Sequence, residues 1–122
     1  MNMREVFIKQ IYQQIGVEGI NMITSILNDP PGRKPKQKLK ELSEYVNSKS
    51  EDEKKKIIEI IELSINSTIF NMLCVFDQVN KLDDNIDNIK LSILCNNQEI
   101  LLNDFTKQDL HDLFNIETGN TR

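Results

Sequence analysis

Between Ile57 and Val79 the chain carries apolar side chains at almost every turn, and on a helical wheel they surround the helix. A helix of this kind has to be covered on most sides, so we expect it to lie at the centre of the fold, nearly surrounded by other elements. Ser50-Glu51-Asp52-Glu53 is a capping box that marks its start. The sequence therefore predicts a central helix over residues 51–82 and leaves open a break near Asn66.

Helical segments are also predicted before the central helix. Apolar residues from Phe7 to Ile15 share one helical face, and the same spacing resumes after Gly16 as far as Leu27. This pattern predicts one bent helix or two short ones. Two prolines and a glycine in the segment 28–32 end this region, and a further short helix is predicted from Lys36.

After a polar linker the period of the apolar residues changes from helical to alternating. The alternation runs over residues 89–102 and is centred on Asn96-Asn97, a pair that tolerates the positive φ angles of a two-residue hairpin turn. This register places Ile93 opposite Ile100, so that both strands turn their apolar side to the core. We therefore predict a β-hairpin.

A short terminal helix completes the predicted fold. Thr106-Lys107-Gln108-Asp109 resembles an N-terminal cap, and Leu110, Leu113 and Phe114 follow at helical spacing. We predict a single, mainly α domain over residues 1–117, of the α-dominated α+β class. In it a long central helix is flanked by N-terminal helices, and a C-terminal β-hairpin and a short terminal helix complete the fold. Residues 118–122 are expected to form a flexible tail.

Composition adds expectations about the origin and compartment of the chain. The 122 residues include 17 Ile, 14 Asn and no Ala, a bias that AT-rich codons produce, and we expect a bacterial source. Cys74 and Cys95 lie in apolar contexts and the first residues carry charge rather than an apolar leader, so we expect buried free thiols in a cytoplasmic protein. Polar residues interrupt the stretch 65–79, and no membrane span is predicted.

Charge is distributed unevenly along the chain. Residues 1–56 hold 11 basic and 8 acidic side chains, whereas residues 57–122 hold 4 basic and 11 acidic ones. An acidic surface repels nucleic acid and membranes and attracts a basic protein. The candidate partner-binding residues are the aspartates of the C-terminal half: Asp83, Asp84, Asp87, Asp104, Asp109 and Asp112.

A short basic run lies in the other half of the chain. Arg33, Lys34, Lys36 and Lys38 follow the proline-glycine loop, where clustered cations could contact an anion. The run lacks the aromatic residues that stack on bases, and Glu41 and Glu44 follow it at once. A solvated loop entering a helix is the simpler interpretation, and nucleic acid binding is not expected.

Motifs for catalysis and for cofactors are absent from the sequence. His111 is the single histidine, and Asp109 and Asp112 lie too close to it along the chain for a helix to turn all three toward one point. The glycines form neither a phosphate-binding loop nor a dinucleotide fingerprint. We therefore predict no enzyme, no cofactor and no metal site.

Three functional hypotheses follow from these observations. The first is a non-enzymatic protein-binding domain, in its most specific form an immunity protein that neutralises a basic toxin through the acidic C-terminal half. The second is a homo-oligomeric structural or regulatory adaptor, such as a homodimer, built on the apolar central helix. The third is a cryptic hydrolase that uses His111 and Asp112.

Overall fold

The computed structural model describes residues 2–119, which form a helix-dominated α+β fold. In chain order the elements are α1 (Met3–Ile11), α2 (Glu18–Asn28), α3 (Gln37–Asn47), α4 (Glu51–Phe76), β1 (Ser92–Cys95), β2 (Gln98–Leu101) and α5 (Leu110–Thr118). The predicted fold class, with its long helix, C-terminal hairpin and short terminal helix, is confirmed.

The two predicted N-terminal segments are joined by helix rather than by a loop. A π-helical segment, Tyr12–Val17, connects α1 to α2 and contains Gly16, which is buried. Such wide turns interrupt the regular hydrogen-bond ladder of an α-helix without ending it. The predicted irregularity at Gly16 is therefore a change in helical winding.

The long helix α4 starts where the sequence predicts and ends earlier. The amide of Glu53 donates to the Ser50 hydroxyl at 3.2 Å, and the amide of Ser50 donates to the Glu53 carboxylate at 3.3 Å, which completes the capping box. At the other end, the amides of Gln78 and Val79 donate to the carbonyls of Val75 and Cys74. This is the Schellman pattern, with Gln78 in the left-handed position at φ 61°. The prediction that the helix continues to residue 82 is wrong, because the left-handed conformation of Gln78 ends the helix at Phe76.

Contacts divide the chain into two compact units. The middle unit comprises Gln14–Asn66, and the terminal unit combines the residues up to Gln13 with those from Ser67 onward. Helix α4 supplies residues to both units, and its helical hydrogen bonding continues through Asn66, where the sequence had left a break open.

Among residues 2–119, the buried apolar side chains all belong to the terminal unit. They come from α1, α4, the end of the hairpin and α5, and comprise Ile8, Ile69, Leu73, Cys74, Leu102, Leu110, Leu113 and Phe114. Tyr12 meets Phe114 edge to face, with ring centroids 6.0 Å apart. The α1 residue Arg4 is also buried, and its guanidinium donates to the carbonyls of Leu102, at 2.7 Å, and Gln108. These contacts fix α1 against the C-terminal segment.

The hairpin has the predicted register and turn. Ile93 pairs with Ile100, and Asn96 and Asn97 both adopt positive φ, as a two-residue turn of type I′ requires. Each strand has four residues, so the ladder is shorter than the predicted span 89–102. Beyond its end, Asn103 accepts from the amide of Leu91 and donates to the carbonyls of Phe76 and Ile89. This buried amide joins the end of α4 to the hairpin.

The middle unit buries its apolar residues less completely. In α4, Ile57, Ile61 and Ile65 are half-buried at a spacing of four residues, whereas Ile60 and Leu63 are 63% and 68% exposed. The expectation that α4 is nearly surrounded is therefore wrong, because only one side of its first half packs within the unit.

The terminal helix starts later than the sequence suggests. Thr106 donates to Asp104 in a turn, and Asp109 is the residue that precedes the first turn of α5. Helix α5 continues through Thr118 and is followed by Gly119 in the left-handed conformation. Residues 120–122 of the predicted tail lie outside the described residues.

One described helix has the length and composition of a membrane span. Within Glu51–Phe76, an 18-residue window reaches a mean hydropathy of 1.4. Core helices of soluble proteins and signal sequences satisfy the same test, and 17% of this window is buried. The helix therefore does not by itself place the chain in a membrane.

Candidate functional site

A buried carboxylate organises the start of α5. Asp77 directly follows α4, and its side chain is only 1% exposed. Its carboxylate accepts from the amide of Leu110 at 3.1 Å and from the amide of His111 at 2.8 Å. Asp109, the N-cap residue by position, makes no capping bond of its own. Asp77 therefore caps α5 from a distant part of the sequence and places its charge at the positive end of the helix dipole.

The His111 ring lies between two carboxylates. Its Nδ1 is 2.7 Å from Asp77 Oδ2, its Nε2 is 3.5 Å from Asp112 Oδ1, and its side chain is 15% exposed. Phe70 contacts the ring edge to face, with centroids 5.5 Å apart. With Asp77 ionised, Nδ1 carries the proton and donates it, and this hydrogen bond fixes the orientation of the ring.

The main partner of His111 cannot be found among its sequence neighbours. Asp109 and Asp112 are the acidic residues beside it in the chain, whereas the shortest contact comes from Asp77, 34 residues away. The available signal was an acidic residue interrupting the apolar run that ends near Val79, since a buried carboxylate needs hydrogen-bond donors. Sequence spacing alone does not identify those donors.

An aspartate that orients a histidine is also the arrangement used by catalytic bases. Here the nitrogen that would face a substrate, Nε2, is directed toward Asp112. A cavity of about 260 Å³ lies in the terminal unit, but His111 does not line it. The lining residues are Val75, Gln78, Asn80, Lys81, Leu82, Ile86, Asp87 and Ile89.

Asp77, Asp109 and His111 are close enough to share a metal ion. One ligand atom from each residue lies within 4.8 Å of the others. However, Asp77 already accepts bonds from two amides at the positive end of α5 and from the His111 ring. A cation at this position would compete with those donors and with the helix dipole. The contact between Asp77 and His111 is thus accounted for by the cap of α5.

The two cysteines are free thiols. Burial raises the pKa of the Cys74 thiol, and the negative charges of Asp77, Asp112 and Asp109 raise it further. The thiolate is the reactive form of cysteine, so this environment suppresses nucleophilic chemistry at Cys74. Cys95 is half-buried in β1 rather than fully buried as expected.

The acidic candidates fall into two groups within the terminal unit. Asp83, Asp84 and Asp87 are exposed on the irregular segment between α4 and β1, whereas Asp104, Asp109 and Asp112 lie before or within α5. Asp109 and Asp112 adjoin the His111 cluster. Over residues 2–119, no hydrogen bond links one group to the other.

Some of these aspartates have local structural roles. Asp83 accepts from the amide of Asn85 at 2.8 Å, and Asp84 lies 3.9 Å from the Lys81 ammonium. Hydrogen bonds from the hydroxyl and then the amide of Thr106 lower the pKa of Asp104 below its ordinary value. Asp87 makes no ion pair within the described part of the chain, and its carboxylate remains accessible to a partner.

The basic run forms the loop before α3 and its first turn. Arg33, Lys34, Lys36 and Lys38 are all exposed, and the structure gives none of them an acidic partner among residues 2–119. The N-terminus of α3 has no side-chain cap, and its first turn contains no acidic residue. The cations are available to solvent anions, but no second feature of the loop defines a binding site.

Net charge is segregated between the two units. The described residues of the terminal unit include ten acidic and five basic side chains, whereas the middle unit contains nine of each. The negative charge of the chain therefore belongs to the terminal unit.

Comparisons with known proteins identify no relative. The chain matches no protein-family model, and neither the curated proteins nor the solved structures include a significant match.

Proposed function

We propose that this chain is a non-enzymatic protein-binding domain that recognises a basic partner through the exposed aspartates of its terminal unit. The supporting observation is the segregation of charge: the described residues of the terminal unit include ten acidic and only five basic side chains, whereas the middle unit contains equal numbers of each. A field of one sign steers an oppositely charged protein and selects against partners of the same sign.

The local chemistry of the candidate catalytic residues supports a binding role. His111 is held by Asp77, whose carboxylate caps α5, and the Cys74 thiol is kept protonated by burial. A hydrolase using His111 and Asp112 would bind its substrate beside Nε2, and His111 does not line the 260 Å³ cavity of the terminal unit.

The specific form of this proposal is an immunity protein of a bacterial cytoplasm that neutralises a basic toxin by covering it. Its small size and concentrated charge suit a one-to-one inhibitor. Growth of a host that expresses the toxin tests it: the host survives only when this chain is co-expressed. Equal killing with and without the chain would exclude neutralisation.

Affinity purification of the tagged full chain from its native cell tests the broader proposal. At low salt we expect one stoichiometric basic protein, which a high-salt wash removes because salt screens exposed charges. The triple variant Asp83→Asn, Asp84→Asn, Asp87→Asn should lose this partner. The matched control is Glu18→Gln, Glu44→Gln, Glu62→Gln, which removes the same charge from exposed positions of the middle unit and should retain it.

Equal recovery by the two triple variants would contradict the proposed surface. Asparagine can still accept from the Asn85 amide at position 83, so loss of binding in the first variant would not reflect loss of that turn.

A second candidate function is self-association as a homo-oligomeric adaptor. The observation that favours it is apolar exposure in the middle unit: Ile60 and Leu63 are largely exposed, and no apolar side chain from Gln14 to Asn66 is buried. A symmetric second copy could cover this surface.

Light scattering with a charged substitution tests self-association. A dimer of the wild-type chain that becomes a monomer in Leu63→Asp would support the adaptor. The matched control is Leu94→Asp, which introduces the same charge at a β1 position that is 80% exposed in the terminal unit. A wild-type monomer over the accessible concentration range would exclude this candidate.

A further inference from the structure

The middle unit contains a cavity that none of the preceding functions uses. It has a volume of about 520 Å³ and lies among α2, the end of α3 and the first half of α4. Pockets of roughly 300 to 1,000 Å³ are typical of small-molecule sites. The residues that line it include Thr24, Val46, Glu51, Lys54, Ile57 and Ile61.

The apolar part of this lining is entirely aliphatic. Its apolar side chains come from leucine, valine and isoleucine, and no aromatic ring is present on which a planar ligand could stack. Flexible or branched hydrocarbon suits such a surface, because its contacts are dispersion contacts without a preferred ring geometry. The lining therefore favours an aliphatic ligand.

The charged part of the lining carries no net charge. Glu51 and Asp52 oppose Lys54 and Lys55, and the Lys54 ammonium lies 3.5 Å from the Glu51 carboxylate. An ionised ligand head would be attracted by one pair and repelled by the other, so the charged side chains of the lining give it no net electrostatic attraction. This balance favours an uncharged ligand.

One polar group of the lining lacks a partner. The Thr24 hydroxyl oxygen is buried and makes no hydrogen bond, whereas the Ser43 hydroxyl in the same unit donates to the Leu27 carbonyl at 2.6 Å. Asn66 Oδ1 is likewise buried without a partner, but Asn66 does not line the cavity. Because Thr24 belongs to the cavity lining, a ligand oxygen beside it could supply the missing hydrogen-bond partner.

The geometry points to a binding site for one small, uncharged aliphatic molecule with a single oxygen, of the alcohol or ketone class. The hydrocarbon occupies the surface formed by Val46, Ile57 and Ile61, and the oxygen bonds to the Thr24 hydroxyl. This site lies wholly in the middle unit and is independent of the acidic surface proposed for protein binding.

Titration of the full chain with 1-hexanol, followed by NMR of the isoleucine methyl groups, tests the site. We expect saturable shifts at Ile57, Ile58 and Ile61 with one-site stoichiometry, and no shifts at the buried Ile8 and Ile69 of the terminal unit. Hexanoate should bind more weakly than 1-hexanol because of its charge. Equal or tighter binding of hexanoate would overturn the inference in favour of an anion site formed by the lysines.

The isosteric variant Thr24→Val tests the hydrogen bond. It should weaken 1-hexanol binding about five- to tenfold, as expected for one lost hydrogen bond. The matched control is Ser25→Ala at the exposed neighbouring position, which should leave binding unchanged. Unaltered affinity in Thr24→Val would overturn the assignment of the oxygen. Shifts that never saturate, or that change with protein concentration in the absence of alcohol, would overturn the site itself.

Discussion

At the scale of single residues, Asp77 shows how this chain keeps a charge inside its core. Its carboxylate accepts from two backbone amides and from His111, and these donors lie at the positive end of α5. Without them, burial of an ionised carboxylate would be strongly unfavourable. Asp77 and its donors are far apart in sequence. An acidic residue within an apolar run therefore indicates a buried carboxylate, but the local spacing cannot identify the groups that donate to it.

Replacing Asp77 with Asn should destabilise the folded chain by about 2 kcal/mol. The charged acceptor becomes a neutral one, and the new side-chain NH₂ group would lie against the backbone amides or the ring N–H that donate to Asp77. Urea unfolding of the purified protein measures the loss. Asp87→Asn, on the exposed linker, is the matched control and should change stability little. Equal stability of the two variants would show that Asp77 does not act as the cap of α5.

At the scale of secondary-structure elements, the two ends of α4 differ in how far the sequence could predict them. Its start depends on Ser50 and Glu53, which are close in sequence and have the residue types of a capping box. Its end depends on Gln78 in a left-handed conformation that glycine would ordinarily occupy, so no local signal marked it. The hairpin was predictable because, as at the start of α4, the residues that determine its register and its Asn-Asn turn are close together in sequence.

The start of α4 should contribute stability that depends on pH. Hydrogen bonds from the hydroxyl and then the amide of Ser50 lower the pKa of Glu53 below its ordinary value of 4.5. A carboxyl group with a lowered pKa in the folded state stabilises the fold above its unfolded pKa, and this contribution is lost as the pH falls through the folded value.

We therefore expect Glu53→Gln to be less stable than the wild type at neutral pH and to approach it in acid. Urea unfolding of both proteins at neutral pH and well below the ordinary pKa measures the difference. The matched control is Glu62→Gln, further along α4, which removes one negative charge without affecting the capping box. A difference that is independent of pH would contradict the role of ionised Glu53.

At the scale of the whole molecule, the distribution of charge could be predicted from the sequence, whereas the burial of the apolar surface of α4 by other elements could not. Charge asymmetry was visible directly, and the division into units assigns the excess negative charge to the terminal unit. The apolar circumference of α4 was also visible, but it does not show whether the rest of the chain covers it. Ile60 and Leu63 are exposed because the packed side of the middle unit is formed by other isoleucines of the same helix.

The central claim is that a basic protein binds the exposed aspartates of the terminal unit. The most direct measurement is the calorimetric affinity between the purified chain and the basic protein that co-purifies with it, at low and at high salt. We predict one-to-one binding that weakens by about tenfold or more when salt screens the charges, and a similar loss at low salt in the Asp83, Asp84 and Asp87 to Asn variant. An affinity unchanged by both salt and this variant would contradict the claim.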